Sequence, residues 1–225
     1  MSIYAISDLH LSFGTDKPMN IFRGWDNHTE RIKANWKRLV KSEDTVVMPG
    51  DFSWALKIEE SLADFKFLED LPGKKLLLKG NHDLWWSTAK KLREFWQQNN
   101  INSVDIVYNN CAIADGFAIA GTRGWFYDDT GSKKVLLREA GRLDASLKES
   151  EKTGLPTLVF LHYPPIYGDS VCNEILNVLK AHNVTQVYYG HIHGAGFHNA
   201  VKEYDGINLH LISCDCIEFT PYFIA

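Results

Sequence analysis

The stretch KKLLLKGNHD, residues 74–83, decides the fold of this 225-residue chain. Its strand-like run, Lys75–Leu78, is short and is apolar after the lysine, which is typical of a strand buried on both faces. The glycine that follows permits a sharp turn. Beyond the turn stand Asn81, His82 and Asp83, whose side chains carry amide, imidazole and carboxylate groups. The stretch therefore predicts a buried strand that ends in chemically active side chains.

The same arrangement, an apolar run followed by metal-binding residue types, occurs four more times. The runs are Ile3–Ile6, Thr45–Met48, Leu158–Leu161 and Gln186–Tyr189. The residues that follow them are Asp8 and His10, then Asp51, then His162, and finally His191 and His193. Amphipathic helical segments lie between the runs, so strand and helix alternate along the chain. This alternation predicts an α/β fold.

Two segments depart from the alternation and predict β-hairpins. Asp115-Gly116 and Asp205-Gly206 each lie between short strand-like runs. An Asp-Gly pair in that setting is a strong signal for a two-residue hairpin turn. The whole pattern predicts two packed sheets with some antiparallel pairing, covered by helices.

The length fits a single domain over residues 1–225, because no linker or internal repeat divides the chain. We expect a lid-like insertion around residues 12–44. Within it, Asn27 and Glu30 have the spacing of a capping box, which predicts the start of a helix. Trp25 and His28 lie in the same region, and they either cover a site or belong to that surface helix start.

The donor residues are expected to converge if their strands share one sheet, because ligands gather at the carboxyl ends of strands in open α/β sheets. Asp8 and His10 are two residues apart, so an extended backbone places both on one face. His191 and His193 repeat this spacing. Carboxylate, amide and imidazole donors suit Mn, Fe, Zn, Ni or Co and disfavour a structural zinc site. The sequence therefore predicts a two-metal centre that attracts a phosphate anion.

Composition narrows the class of protein. The net charge is −4 and no long basic run occurs, which weighs against a dedicated nucleic-acid binder. No stretch approaches the roughly 18 apolar residues of a membrane span. The chain begins without a recognisable secretory leader, so a cytoplasmic location is expected. The pair in Cys214-Asp215-Cys216 is interpreted as reduced thiols, with a soft metal site as the alternative.

The complete set of motifs resembles the calcineurin-like metallophosphoesterase superfamily, and within it the bacterial branch of predicted phosphohydrolases. The resemblance covers Asp8 to His193. It implies a four-layer α/β/β/α sandwich of two mixed sheets flanked by helices, with two divalent metal ions at one edge. Manganese is favoured among Mn, Fe, Zn and Ni. The resemblance implies that one metal is bound by Asp8, His10 and His193, the other by Asn81, His162 and His191, and that Asp51 bridges them.

The chemistry implied by the resemblance is hydrolysis of a phosphoester in a small phosphorylated substrate or nucleotide. A metal-activated hydroxide would attack phosphorus. His82 would contact the phosphate and assist the leaving group, and Asp83 would orient His82. Two other functions stay open: a nuclease, which would need a positive track for the nucleic-acid backbone, and a non-catalytic scaffold. The scaffold is disfavoured because every ligand position carries a competent residue.

The second motif departs from one branch of the superfamily. Ser/Thr protein phosphatases continue it as Gly-Asp-x-x-Asp-Arg-Gly, whereas this chain has Trp54 in place of the second acid. That difference disfavours a phosphoprotein substrate. Trp54 is a candidate for stacking on a substrate, with packing beneath the loops as the alternative. Arg123 is a candidate phosphate clamp, with an exposed turn arginine as the alternative.

Overall fold

The computed structural model describes residues 1–125 and 133–225, in which two large sheets form the centre of the fold. Strands are numbered in chain order. The first sheet contains, from edge to edge, Tyr222–Phe223 (β13), Ile3–Ala5 (β1), Thr45–Met48 (β2), Lys74–Leu77 (β3) and Val104–Ile106 (β4). The second contains Glu203–Tyr204 (β11), Ile207–Leu211 (β12), Gln186–Tyr189 (β10), Thr157–Leu161 (β7), Phe117–Thr122 (β6) and Ala112–Ala114 (β5). A small ribbon pairs Ile166–Tyr167 (β8) with Ser170–Val171 (β9).

Helices cover the outer face of each sheet. The described residues form the α-helices His28–Leu39 (α1), Leu62–Glu69 (α2), Ala89–Gln98 (α3), Lys133–Glu151 (α4) and Asn173–Ala181 (α5), with short 3-10 helices at Met19–Ile21 and Gly194–Asn199. Buried residues of α1, α2 and α3 share one apolar cluster with the first sheet. Buried residues of α4 and α5 share another with the second sheet. None of the described helices has the length and apolar character that crossing a membrane requires.

A third apolar cluster fills the space between the sheets, and it completes the layering. Its residues alternate along each strand with those that face the helices, because successive side chains point to opposite faces. The two sheets contribute Ile3, Val47 and Leu76 on one side and Ile119, Phe160 and Tyr188 on the other. The predicted four-layer α/β/β/α sandwich is confirmed.

The five strands expected to carry the donors are present, but they do not share one sheet. β1, β2 and β3 are parallel neighbours in the first sheet. β7 and β10 are parallel neighbours in the second. The two predicted sheets are present, and the condition under which convergence was expected, one sheet shared by all five strands, is not met. The donor residues still converge, because the two sheets pack face to face and the carboxyl ends of these strands lie at the same edge of the sandwich.

Local turn chemistry was predictable for the hairpins and misleading for the first helix. Asp115 and Asp205 have φ angles of 44° and 52°, each followed by a glycine at 80°, which is the left-handed geometry of a tight hairpin turn. Asn27, in contrast, has φ 52° and makes no side-chain capping hydrogen bond. A capping side chain requires extended backbone to reach the first free N–H groups. The predicted capping box is therefore wrong.

Asp64 on α2 ties two loops near the functional edge to the helix layer. Its carboxylate accepts the N–H of Phe13 at 2.8 Å and the hydroxyl of Ser53. Burial raises the pKa of Asp64 from 3.8 to about 6. The folded state therefore binds this proton more tightly than the unfolded chain does. The resulting stabilisation is complete below pH 4 and is lost as the pH rises through 6.

Replacing Asp64 with asparagine is expected to remove this pH dependence, because the amide fills the same site without a charge. We compare the free energy of unfolding of the variant with that of the natural protein. The variant's value minus the natural protein's value should rise by about 2 kcal/mol from pH 4 to pH 7. Urea unfolding across that range measures the difference. A constant difference would show that Asp64 does not titrate with a raised pKa.

Candidate metal centre

All the metal-binding residues expected from the sequence lie on loops that leave the carboxyl ends of strands. Asp8 and His10 follow β1, Asp51 follows β2, and Asn81 follows β3, while His162 follows β7 and both His191 and His193 follow β10. Asp8, His10, Asp51 and His191 have φ angles of 60°, 47°, 52° and 71°. Left-handed backbone is costly for residues other than glycine and concentrates at functional sites.

Six of these residues form two compact donor sets. Within each set, one ligand atom per residue lies within 4.8 Å of every other. The first set is Asp8, His10 and His193, and the second is Asp51, His162 and His191. Donor atoms this close together leave space for one cation in each set.

Asn81 and Asp51 connect the arrangement. Asn81 Oδ1 lies 2.6 Å from His162 Nε2 and 2.9 Å from His191 Nδ1, which places the amide in the second set. Asp51 Oδ2 lies 3.5 Å from His162 Nε2 and 4.0 Å from His10 Nε2. Asp51 therefore belongs to the second set, and its carboxylate also faces the first set.

His162 is held in the tautomer that metal binding needs. Its Nδ1 lies 3.1 Å from the carbonyl oxygen of Pro49. A carbonyl only accepts hydrogen bonds, so Nδ1 carries the proton and Nε2 presents its lone pair to the second set. Burial lowers the pKa of His162 from 6.5 to about 3, which keeps the imidazole neutral.

Asp215 performs the equivalent task for His193, and the sequence interpretation missed it. Asp215 Oδ1 lies 2.8 Å from His193 Nδ1, and Oδ2 accepts the N–H of Gly194 at 3.1 Å. His193 Nε2 then points toward Asp8 Oδ1, at 3.4 Å. Asp215 follows β12, the neighbour of β10, so it was one more polar residue after a strand end. The flanking cysteines, Cys214 and Cys216, are free thiols that lie outside both donor sets.

The buried charges favour a cation at this edge. Burial raises the pKa of Asp51 well above its ordinary value, and the negative charges of Asp8 and Asp83 raise it further. Burial alone would lower the pKa of His193, but hydrogen bonds with Asp215 and Asp8 raise it to about 10. Without a metal ion, His193 therefore keeps its proton, and this positive charge balances part of the negative charge of the buried carboxylates. Oxygen and imidazole donors around buried carboxylates fit two divalent ions.

Asp83 connects the loop after β3, to which it belongs, with the loop after β2. Its buried carboxylate accepts backbone N–H groups from Gly80 at 2.7 Å, Asp51 at 2.9 Å and Phe52 at 3.0 Å. It also accepts the indole N–H of Trp85 at 3.1 Å. Among the described residues, none of its hydrogen bonds goes to the His82 ring. Asp83 therefore shapes the backbone that carries Asp51, and it reaches His82 only through that loop.

His82 stands beside the donor sets at the wall of a cavity of about 480 Å³. Its side chain is 43% exposed, and Nε2 lies 4.0 Å from Asp51 Oδ2. Its backbone N–H donates to Asp51 Oδ1 at 2.8 Å. Trp54 packs on the His82 ring at 4.3 Å between centroids and stacks on His10 at 4.9 Å. The cavity is also lined by Met19, Phe22, Arg23, Trp25, His193 and Asp215.

Of the remaining candidates, Trp25 lines the cavity beside the metal centre, His28 packs behind it, and Arg123 lines another cavity. Trp25 is buried, lines this cavity and contacts His10 and His193 at ring distances of 5.7 Å and 5.6 Å. His28 packs behind Trp25 at 5.4 Å. The side chain of Arg123 lines a different cavity, where it pairs with Glu139. Only its backbone touches the centre, because Arg123 O accepts the N–H of His162.

The comparisons with known proteins agree with this geometry. Residues 1–195 match the model of the family described as calcineurin-like phosphoesterase. The chain belongs to this family. The family resemblance inferred from the motifs is therefore confirmed. A calcineurin-like phosphoesterase is a metal-dependent enzyme, and the family usually binds two divalent metals.

Solved structures similar to this calcineurin-like phosphoesterase share its fold at low identity. A protein of unknown function from Aquifex aeolicus is 20% identical, with a TM-score of 0.54, over 99% of this chain and 95% of that one. A phosphopantetheinyl hydrolase from Mycobacterium tuberculosis is 15% identical, with a TM-score of 0.53, over 94% and 88%. The Thermus thermophilus protein TT1561 is 16% identical, with a TM-score of 0.57, over 99% and 97%. No curated protein matches the chain.

Proposed function

We propose that this calcineurin-like phosphoesterase hydrolyses a phosphomonoester or phosphodiester of a small molecule or nucleotide, using two divalent ions. The observation that carries the proposal is that Asp51 Oδ2 faces both donor sets. In this assignment Asp8, His10 and His193 would hold one ion. Asn81, His162 and His191 would hold the other, with Asp51 as the shared carboxylate. Manganese remains the favoured metal.

The bound ions would supply Lewis-acid activation of the phosphate and a lowered pKa for water. The chain supplies the rest. His82 lies at the cavity wall without belonging to either donor set, which suits it to contact the phosphate and assist the leaving oxygen. Asp83 acts as a positioning residue by fixing the loop of Asp51. His162 and His193 are pre-oriented by Pro49 and Asp215.

The cavity walls favour an organic leaving group with apolar or aromatic surface. Trp54, Met19, Phe22 and Trp25 line the side next to His10 and His82. The indole of Trp54 has Lys17 Nζ 5.4 Å from its ring and donates its N–H to Met19 Sδ. A nucleobase or a similar flat group could stack there. We propose that only residues 12–26 of the expected insertion contribute to the wall of this cavity. The helix α1 of the insertion packs in the helix layer instead.

A nuclease function receives little support from the same cavity. Arg23 is the one lysine or arginine in its described lining, and the whole chain carries a net charge of −4. A nuclease binds a polyanionic backbone over several phosphates and needs a longer positive track.

One assay tests the proposed function. The purified protein is analysed for bound metals and then assayed with bis-p-nitrophenyl phosphate and p-nitrophenyl phosphate in the presence of Mn²⁺. Turnover that disappears after metal removal and returns with Mn²⁺ is expected. The ratio of the two rates distinguishes a diesterase from a monoesterase, and digestion of single-stranded DNA would indicate the nuclease. Two bound metals without turnover of any substrate would contradict the proposal.

Replacing Asp215 with asparagine is expected to weaken metal binding at the first set by about 10- to 100-fold. The variant loses the carboxylate that fixes both the tautomer and the ring orientation of His193. Titration calorimetry with Mn²⁺ should show one weakened site and one unchanged site. Asp70→Asn, on an exposed residue at the end of α2, is the matched control. Equal weakening of both sites would exclude a specific effect on His193.

A further inference from the structure

A second cavity, of about 210 Å³, lies at the same edge of the sandwich as the metal centre. It lies where β3, β4 and β6 end, against the first half of α4. The charged side chains that line it are Lys79, Arg123, Arg138, Arg142 and Glu139. We call it the basic cavity. Its lining in the described part of the chain has four cations and one acid, in a protein whose net charge is −4.

Glu139 neutralises only a part of this charge. Its buried carboxylate accepts hydrogen bonds from Arg142 at 2.6 Å, from Arg123 at 3.4 Å and from the hydroxyl of Thr122 at 2.8 Å. Both of its oxygens are therefore occupied. In the described part of the chain, Lys79 and Arg138 form no ion pair. Four positive charges around one carboxylate repel each other unless an anion joins them.

The two paired arginines are held rigidly. The guanidinium of Arg123 lies 4.6 Å from the centre of the Trp125 ring, and that of Arg142 lies 5.1 Å from the Tyr108 ring. Arg142 also donates to the Tyr108 hydroxyl at 2.8 Å. Arg123 Nε is buried and has no hydrogen-bond partner within the described residues. Stacked, ion-paired guanidinium groups lose little entropy when they bind a planar or tetrahedral anion.

The size of the cavity indicates the class of ligand. A water molecule occupies about 30 Å³, and pockets for drug-sized ligands begin near 300 Å³. A volume of about 210 Å³ therefore suits one compact anion and its remaining water. We propose that the basic cavity binds a phosphate group, separately from the metal centre. This group is either free inorganic phosphate or a second phosphate of the substrate, and only the latter source rests on the proposed function.

Titration calorimetry with inorganic phosphate tests this site. The full chain is used after dialysis against a chelating resin, and again after loading with Mn²⁺. The metal-free protein should bind one phosphate. Arg138→Ala should weaken this binding about tenfold or more, because it removes a cationic side chain of the lining that has no ion pair among the described residues. Arg142→Lys, which keeps a charge beside Glu139 but loses the forked geometry, should weaken it as well.

Arg38→Ala is the matched control, since Arg38 is exposed on α1 and lines neither cavity. It should leave phosphate binding unchanged. Absence of phosphate binding by the metal-free protein would overturn the proposal. So would equal binding by the natural protein, Arg138→Ala and Arg142→Lys. Both results are independent of turnover, so they separate failure of this site from failure of the proposed function.

Kinetics of the Mn²⁺-loaded enzyme distinguish the two sources of phosphate. The substrates are p-nitrophenyl phosphate and a nucleoside 3′,5′-bisphosphate. If the basic cavity holds the second phosphate, Arg138→Ala should raise KM about tenfold for the bisphosphate alone. If it holds free phosphate, both KM values should remain unchanged while phosphate binding falls. An equal rise for both substrates would contradict a site separate from the metal centre.

Discussion

Replacing Asp51 with asparagine is expected to abolish phosphoesterase activity and, at the same time, to stabilise the metal-free protein. Activity should fall by at least about 10³-fold, or about 4 kcal/mol of transition-state stabilisation. The amide of the variant can still accept the N–H of His82, which Asp51 Oδ1 accepts at 2.8 Å. Its NH₂ group would take the place of Oδ2 and point two donors into the space between the donor sets. A cation cannot bind there.

The gain in stability follows from the cost of the native carboxylate. Burial raises the pKa of Asp51 well above its ordinary value, and the nearby charges of Asp8 and Asp83 add to the effect. A neutral amide avoids that cost and can donate to His162 Nε2, which lies 3.5 Å from Oδ2. Replacement of a buried charge by a neutral group often stabilises by about 1 kcal/mol or more. In a chain of this size, that is about 2–4 °C in Tm.

Three measurements check this prediction. Metal analysis should find fewer than two ions per chain, the Mn²⁺-dependent rise in Tm should shrink, and the metal-free Tm should increase. A variant that keeps two metals and full activity would show that Asp51 bridges nothing. A variant that loses activity but is also less stable without metal would show that Asp51 is a structural residue instead.

The strands could be predicted because their apolar composition indicates that they are buried. Runs such as Thr45–Met48 and Gln186–Tyr189 are buried almost throughout and coincide with β2 and β10. The division of the strands between two sheets could not be predicted in the same way, because an apolar strand looks alike in either sheet. The donors converge because the sheets pack face to face, with Phe160 and Tyr188 on one side and Ile3 and Val47 on the other. That packing is a long-range property.

Side-chain partners were harder to predict than strand ends. Asp215 lies 22 residues beyond His193 along the chain, yet the two are 2.8 Å apart. The parallel pairing of β12 with β10 brings them together. The side chain of Arg123 pairs with Glu139 and lines the basic cavity rather than the metal centre, and its residue type alone could not distinguish the two places. The capping box at Asn27 failed because the backbone there is left-handed. In each case the tertiary contact, rather than the local sequence, determines the outcome.

Replacing His82 with asparagine is expected to reduce turnover by about 10²- to 10⁴-fold without loss of metal, which is the usual contribution of a general acid. His82 belongs to neither donor set, and its Nε2 lies 4.0 Å from Asp51 Oδ2. Its side chain is partly exposed, so the substitution should leave the fold intact. Metal analysis should still find two ions per chain. His198→Asn, on an exposed histidine that lines neither cavity, is the matched control.

The leaving group determines whether His82 donates a proton or only stabilises charge. p-Nitrophenolate is a good leaving group and needs little protonation, whereas an alkyl phosphate releases a strongly basic oxygen. If His82 is the acid, His82→Asn should slow alkyl phosphates at least tenfold more than p-nitrophenyl phosphate. An equal loss for both substrates would limit His82 to contact with the phosphate. Loss of metal in the variant would instead place His82 among the ligands, and the division of roles between Asp51 and His82 would be wrong.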